Sequence, residues 1–270
     1  MRVDPFRLYQ ATVGSVQRLS PHMIRVTFTG LDGVRSNGPD QRIKIFLPNE
    51  RTGSLDVPTG PEWYPEYQAM SLAERPPMRT YTLRAVRSGE IDIDFVAHGD
   101  TGPASRWVGK AAPGDVLKIF APQVTGEHMG AEYRPADAAW QLIAGDETAL
   151  PAIGAIVESL PAGTRALVFA EVPEDADRQD WVTAGDVDIT WLPRNGTLPG
   201  HSSALVDAIR DTAFPEGAGY AWIAGESAVI RGLRRHLVTE RGIDRKSIYF
   251  SGYWRLGRTE ETAHEPVDED

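Results

Sequence analysis

None of the 270 residues is a cysteine, which excludes disulfides, thiolate-held iron–sulfur clusters and a cysteine nucleophile. No stretch approaches the roughly 20 consecutive apolar residues of a membrane span, so membrane insertion is not expected. The opening residues M-R-V-D-P-F-R-L-Y-Q lack the apolar segment of a secretory signal, and a cytoplasmic protein is expected. Positive charge is in deficit: 28 Lys and Arg stand against 38 Asp and Glu, a net charge of −10. Such a chain is not a general nucleic-acid binder, which needs a basic surface to neutralise phosphates. No G-x-S-x-G elbow surrounds Ser203 or Ser227, so a serine hydrolase is excluded. His98, His128 and His201 show no ligand spacing with a second histidine or a carboxylate on a helix, so no protein-bound metal is expected.

What is present is an ordinary globular composition, 41% hydrophobic and 24% charged. The length suits two domains of roughly 130 residues each. The first half holds short β-like runs at Leu8–Leu19, His22–Thr29, Arg42–Leu47, Thr80–Val86, Glu90–Ala97 and Val116–Ala121. Six such runs between Gly, Pro and Asp signals predict a closed or Greek-key barrel. Pro48–Met78 is too long for a simple connector; its Trp63, Tyr64 and Tyr67 favour a packed flap. The second half alternates strands (140–144, 166–170, 186–192, 220–224, 247–251) with helices (149–160, 203–213, 227–240), which predicts a parallel sheet with helices on its faces. The expected fold is therefore a β-barrel plus α/β: a barrel at 1–122, a linker at 123–138, a nucleotide-binding-like α/β domain at 139–258 and a solvated acidic tail at 259–270.

Two motifs carry chemistry. Arg79 to Arg84 read R-T-Y-T-L-R, and His98 to Trp107 read H-G-D-T-G-P-A-S-R-W. Alternation on a strand puts Arg79 and Tyr81 on one face and Thr80, Thr82 and Arg84 on the other. Arg79 can fork phosphate oxygens, Tyr81 can lie against a ring or ribityl chain, and Thr82 can bond near a flavin N5. Gly102, Pro103, Ala104 and Ser105 would open a helix whose free N–H groups attract phosphate. His98 beside this turn is either a flavin contact or a structural histidine. Each motif alone has a plain alternative, an amphipathic strand and a good helix start; in this order and spacing they point to a flavin dinucleotide.

R-T-Y-T-L-R, F-V-A-H-G-D-T-G-P-A-S-R-W, A-G-D-E-T-A-L-P-A-I (144–153) and G-Y-W-R-L-G-R (252–258) together resemble the siderophore-interacting proteins of the ferredoxin–NADP reductase superfamily. The resemblance implies FAD as cofactor, with NADH, NADPH or ferredoxin as electron donor, and reduction of a ferric siderophore to release Fe(II). It implies no side-chain acid or base; Tyr81 and Thr82 would form the N5 environment. Asp146 and Thr148 stand where the superfamily carries glycines of a Gly-x-Gly-x-x-Pro turn. A carboxylate there repels a pyrophosphate, and a simple capping turn is the alternative. Glu171 could accept from ribose hydroxyls, whereas Arg178 or Arg194 could take a 2′-phosphate. Tyr253 and Trp254 follow the last strand, where the superfamily places aromatics near the flavin. An anionic siderophore predicts a basic cleft, with Lys44, Lys246, Arg255 and Arg258 as its candidates. A monomer is expected. The competing functions are a non-enzymatic siderophore or flavin carrier and a general flavin reductase.

Overall fold

The computed structural model describes residues 4–99, 102–126 and 129–258. Asp100 and Thr101 of the second motif, His128 and the acidic tail lie outside them. The chain divides into two compact units, Met1–Ala131 and Glu132–Asp270.

The first unit is a curled antiparallel sheet of seven strands: β1 (Phe6–Ser20), β2 (Met23–Thr29), β3 (Arg42–Phe46), β4 (Met78–Thr82), β5 (Ala85–Arg87), β6 (Glu90–Val96) and β7 (Val116–Pro122). Their spatial order is β4-β3-β7-β1-β2-β6-β5, so the chain crosses over between β2 and β3. Where the sequence suggests one run over Thr80–Val86, the structure has two short strands that change partner. β4 pairs with β3, then Leu83 N–H bonds Gln41 O (2.7 Å), Arg84 N–H bonds Asp92 O (2.9 Å), and β5 pairs with β6. The two edges of the sheet are thus consecutive pieces of one segment, which brings the sheet round into a barrel.

Period-two alternation fills the interior. Ile43, Ile45, Ile91, Ile93, Phe95, Leu117 and Ile119 are almost wholly buried and join one apolar core. Between them on β6, Asp92 and Asp94 are buried on the other face. Arg25 grips Asp94 through two bonds of 2.7 and 2.8 Å, and Arg87 grips Asp92 through two of 2.7 Å. Burial alone would raise the Asp92 carboxyl, but Arg87 and Thr27 hold it below the usual carboxylate range.

The 48–77 segment is an ordered flap carrying helix α1 (Trp63–Ala69). Phe46, on the outward face of β3, is fully buried beneath it with Val57 and Tyr67, and Leu8, Met78 and Phe120 complete this second small core. The Tyr67 hydroxyl donates to Pro76 O at 2.7 Å and ties the flap to its own exit. Helix α2 (Pro103–Val108) buries Ala104 and Val108 in the barrel core, with Trp107 half-buried against Phe28 and Phe95.

The second unit has five parallel strands, β8 (Trp140–Gly145), β9 (Arg165–Val172), β10 (Asp186–Pro193), β11 (Gly219–Glu226) and β12 (Ile248–Trp254), in the order β10-β9-β8-β11-β12. Strand β8 is buried at all six positions, as a central parallel strand covered on both faces must be. Helix α3 (Leu150–Ser159) packs in one apolar cluster, and α4 (Ala204–Asp211) and α5 (Ser227–Thr239) in the other. The strand order reverses between β8 and β11, which is where open α/β sheets form their ligand crevice.

Candidate functional site

In the first unit, Tyr81 pairs across the ladder with Ile43 and Arg79 with Ile45, so both share the inward face. Tyr81 is half-buried with its ring 4.6 Å from Phe95. Arg79 is half-buried and donates to Met78 O at 2.7 Å. Thr80 and Thr82 lie on the opposite face with their partners Lys44 and Arg42, and the Lys44 ammonium donates to Thr80 Oγ1 at 2.5 Å. Thr82 is buried. Arg84 Nε is 3.7 Å from Asp94, so its charge is partly answered inside the barrel wall.

Gly102 is the N-cap of α2 and Pro103 follows at its first turn; no side chain caps the helix. A side chain at 102 would meet no atom within 4 Å, so the space over this helix start is open. Ser105 Oγ accepts from the His98 N–H at 3.1 Å, fixing the turn before the helix. Arg79, half-buried Tyr81 and Thr82 on one strand, with open N–H groups at a helix start, fit a dinucleotide carrying a flat ring and a pyrophosphate.

The second unit differs from a dinucleotide turn. All the acceptor capacity of Asp146 is used internally: Oδ1 accepts from Thr148 N–H (3.0 Å) and Oγ1 (2.5 Å), and Oδ2 from Glu226 N–H and Trp254 Nε1, both 2.8 Å. The carboxylate thereby ties together the carboxyl ends of β8, β11 and β12. Burial, and next the charge of Glu147, push its pKa up to about 6 despite these bonds. Gly225 sits at φ +149°, and a Cβ there would fall 2.6 Å from Asp146 Oδ2. Asp146 and Thr148 therefore hold the turn together, although neither side chain caps α3 itself.

Glu226 does the same for α5. Its Oε2 accepts from the N–H groups of Ala228 (2.6 Å) and Val229 (3.0 Å), so a carboxylate of the chain occupies the helix start an external phosphate would use. Arg194 corrects the sequence reading. It is buried, bidentate to Glu147 (2.5 and 2.7 Å) and 3.4 Å from Glu171, so its charge is answered twice and not offered to a 2′-phosphate. Burial alone would lower the Arg194 pKa, but the Glu147 bonds raise it; burial raises Glu171 in spite of Ser202 and Arg194. The cavity left at these strand ends, beside Asp146, Glu171 and Glu226, measures only ≈10 Å³, about one water. The site does not fit a pyrophosphate on the β8–α3 turn.

Tyr253 packs edge-on against buried Trp222, and the Trp254 ring lies over Gly200. The basic candidates do not form one patch. Exposed Lys246 precedes β12 while Arg255 and Arg258 follow it; at roughly 3.3 Å per residue the strand keeps them at its opposite ends. Among the described residues no group of three or more His, Asp or Glu side chains could hold a metal ion, and no helix is long and apolar enough to cross a membrane.

The curled antiparallel sheet followed by the parallel sheet has the ferredoxin-reductase-like architecture. Residues 12–126 match the siderophore-interacting FAD-binding domain and residues 138–257 the siderophore-interacting protein pattern. The chain is 35% identical over 269 residues to the ferric vibriobactin reductase ViuB of Vibrio cholerae, covering 96% of this chain and 94% of that one. It is 32% identical over 258 residues to an NADPH-dependent ferric-chelate reductase of Escherichia coli, covering 93% and 94%. A siderophore utilization protein from T. fusca superposes with a TM-score of 0.83 at 33% identity, covering 96% of each chain. The chain belongs to the siderophore-interacting protein family, a family of FAD-binding oxidoreductases.

Sequence reasoning missed the aromatic patch formed by Phe6, Trp63 and Phe120 and the part of Arg42 beside it. Its signal was present: Arg42 and Lys44 alternate with inward Ile43 and Ile45, which assigns them to the outer face.

Proposed function

We propose that the protein reduces the Fe(III) of a ferric siderophore to Fe(II) in the cytoplasm, drawing electrons from NAD(P)H or ferredoxin through FAD. The observation that carries this is the strand Arg79–Thr82 beside the uncapped, open start of α2, within a chain 35% identical to a ferric vibriobactin reductase. When bound, FAD supplies the chemistry that accepts two electrons and passes them on singly, so one hydride equivalent serves two ferric ions. Arg79 neutralises phosphate charge, Tyr81 offers a half-buried ring face, and Thr82 offers a hydroxyl at the ring edge. Ser105 holds the turn that presents the helix start. Iron so reduced is held less tightly by hard oxygen ligands and is released. The name of the Escherichia coli relative supports NADPH as donor. The internal bonds of Asp146, Glu226 and Arg194 require that such a donor be held without a pyrophosphate seat on the β8–α3 turn.

The test is the visible spectrum of purified protein under argon. NADPH, NADH or reduced ferredoxin should bleach the flavin band, and a ferric siderophore should restore it while an Fe(II)-specific chelator develops colour. A band that no donor bleaches would make the protein a carrier, and flavin lost on gel filtration a general flavin reductase.

A further inference from the structure

Between Ser227 and Ser247 the chain carries six Arg and Lys against two acids, in a protein whose net charge is −10. Helix α5 buries Ile230, Leu233 and Leu237 in the core of the parallel sheet. Helical periodicity therefore turns Arg231 and Arg235 outward, one turn apart, and both are exposed. Arg234 is half-buried because its guanidinium carbon lies 4.3 Å from the centre of the Phe250 ring on β12, itself 41% exposed. Arg245 and Lys246, exposed in the turn before β12, extend the group towards the start of that strand. The sixth cation, Arg241, is engaged elsewhere and donates to Arg210 O and Thr212 O. Among the described residues none of the other five makes an ion pair. The two acids are occupied: Glu240 lies 3.0 Å from His236 Nδ1, and Asp244 accepts from Lys246 N–H at 3.0 Å. Like charges three and four residues apart repel, and no acid stands within Ser227–Thr239 to relieve them, so the helix carries this face at some cost to its stability.

The negative charge of the chain lies on the other side. The strand order sets β12 at one edge of the sheet and β10 at the opposite edge. Asp186 and Asp188 are exposed on β10, and Glu174 and Asp180 are exposed in the connection before it. Four strand spacings of about 4.8 Å hold the two edges roughly 19 Å apart, more than two Debye lengths of about 8 Å at physiological salt. An anionic surface that meets α5 is thus screened from the acids of the far edge. The exposed face consists of Arg tips, the small residues Ala228 and Gly232, and one ring. It lacks the apolar anchors that centre a protein–protein interface. Lipid phosphates gather laterally beneath mobile guanidinium tips and need no fixed complement. We propose that the α5–β12 face docks the protein reversibly on anionic lipid headgroups, with no segment inserted. The proposal goes beyond ferric reduction and does not depend on it.

The test is sedimentation of the FAD-loaded full chain with vesicles. The protein should sediment with phosphatidylglycerol–phosphatidylcholine vesicles, stay in solution with pure phosphatidylcholine, and be released by salt. Arg231→Gln with Arg235→Gln should lower the partition coefficient roughly 25-fold, at about fivefold per cation. Because a like-charge pair is removed, Tm of this variant should not fall. Asp186→Asn with Asp188→Asn, at the far edge, should bind as the parent does. Equal binding to neutral and anionic vesicles, or no binding to either, would overturn the proposal. Binding to soluble polyglutamate without binding to vesicles would also overturn it, by giving the face to an acidic polypeptide. A gain in the aspartate variant as large as the loss in the arginine variant would show that binding follows net charge and not this face. Lost binding together with a lowered Tm would assign the two arginines to the fold.

Discussion

Replacing Arg194 by methionine tests whether the carboxyl edge of the parallel sheet is a structural cluster or a nucleotide seat. Arg194, Glu147 and Glu171 have side chains only 4–7% exposed, and the guanidinium spans both carboxylates. Removing it leaves two buried carboxylates unpaired, which should cost about 3–5 kcal/mol. With a urea slope of about 2 kcal/mol per molar, the unfolding midpoint should fall by roughly 2 M. Tryptophan fluorescence reports on this unit, which contains Trp140, Trp181, Trp191, Trp222 and Trp254. The defect should depend on pH with a definite sign. Burial already raises the Glu171 carboxyl, and removing Arg194 takes away one of the groups that lower it, so its native pKa should rise further above the unfolded value. The native state then holds protons that the unfolded state releases, so stability is lost as pH rises. The variant should be near the parent at pH 5 and much weaker at pH 8. Adding Glu147→Leu and Glu171→Leu should recover most of the loss, since an apolar cluster needs no counter-charge. A cost below about 1 kcal/mol, or an equal cost at both pH values, would refute the cluster. A rise in KM for NADPH but not NADH would instead make Arg194 a 2′-phosphate ligand.

Two further predictions concern the proposed flavin and substrate contacts. Arg79→Ala should lower the flavin retained per chain after dialysis, because a charge-assisted phosphate contact contributes about 1.5–3 kcal/mol; full retention would remove Arg79 from the cofactor site. The double variant Arg255→Ala with Arg258→Ala should raise KM for an anionic ferric siderophore at unchanged FAD content, and the defect should shrink as salt rises. Equal losses with a neutral chelate would assign these arginines to the fold.

The elements were legible because apolar alternation on the barrel strands and buried runs in the parallel sheet are properties of short windows. What the sequence hides are links between distant residues. R-T-Y-T-L-R reads as one strand because nothing within it marks the point where its pairing passes from β3 to β6; only the partners decide that. Asp146 looks like part of a phosphate turn from its neighbours alone. Two of its donors, Glu226 N–H and Trp254 Nε1, come from 80 and 108 positions further along the chain. Arg194 likewise meets Glu147 across 47 positions. Lys246 and Arg255 were grouped by charge alone, and the strand Ile248–Trp254 lies between them. The flap was readable as packed from its aromatics, yet the aromatic patch it completes depends on which face of β3 and β7 it covers.

The partner change at Leu83 and Arg84 has a consequence for how the barrel opens. Its β5–β6 ladder joins three residue pairs, as does β3–β7, against five for β3–β4 and seven for β1–β7, but β5 lies at the edge of the sheet and has no second partner strand. A short ladder on an edge strand, with few bonds and no second neighbour, opens more readily than an interior one. Amide protons of Ala85–Arg87 should therefore exchange ahead of those in β1 and β7, and each such opening loosens the segment that continues into Tyr81 and Thr82. The proposed flavin contacts lie on β4, so a flavin held there would restrain that seam, and FAD loading should slow amide exchange at Ala85–Arg87.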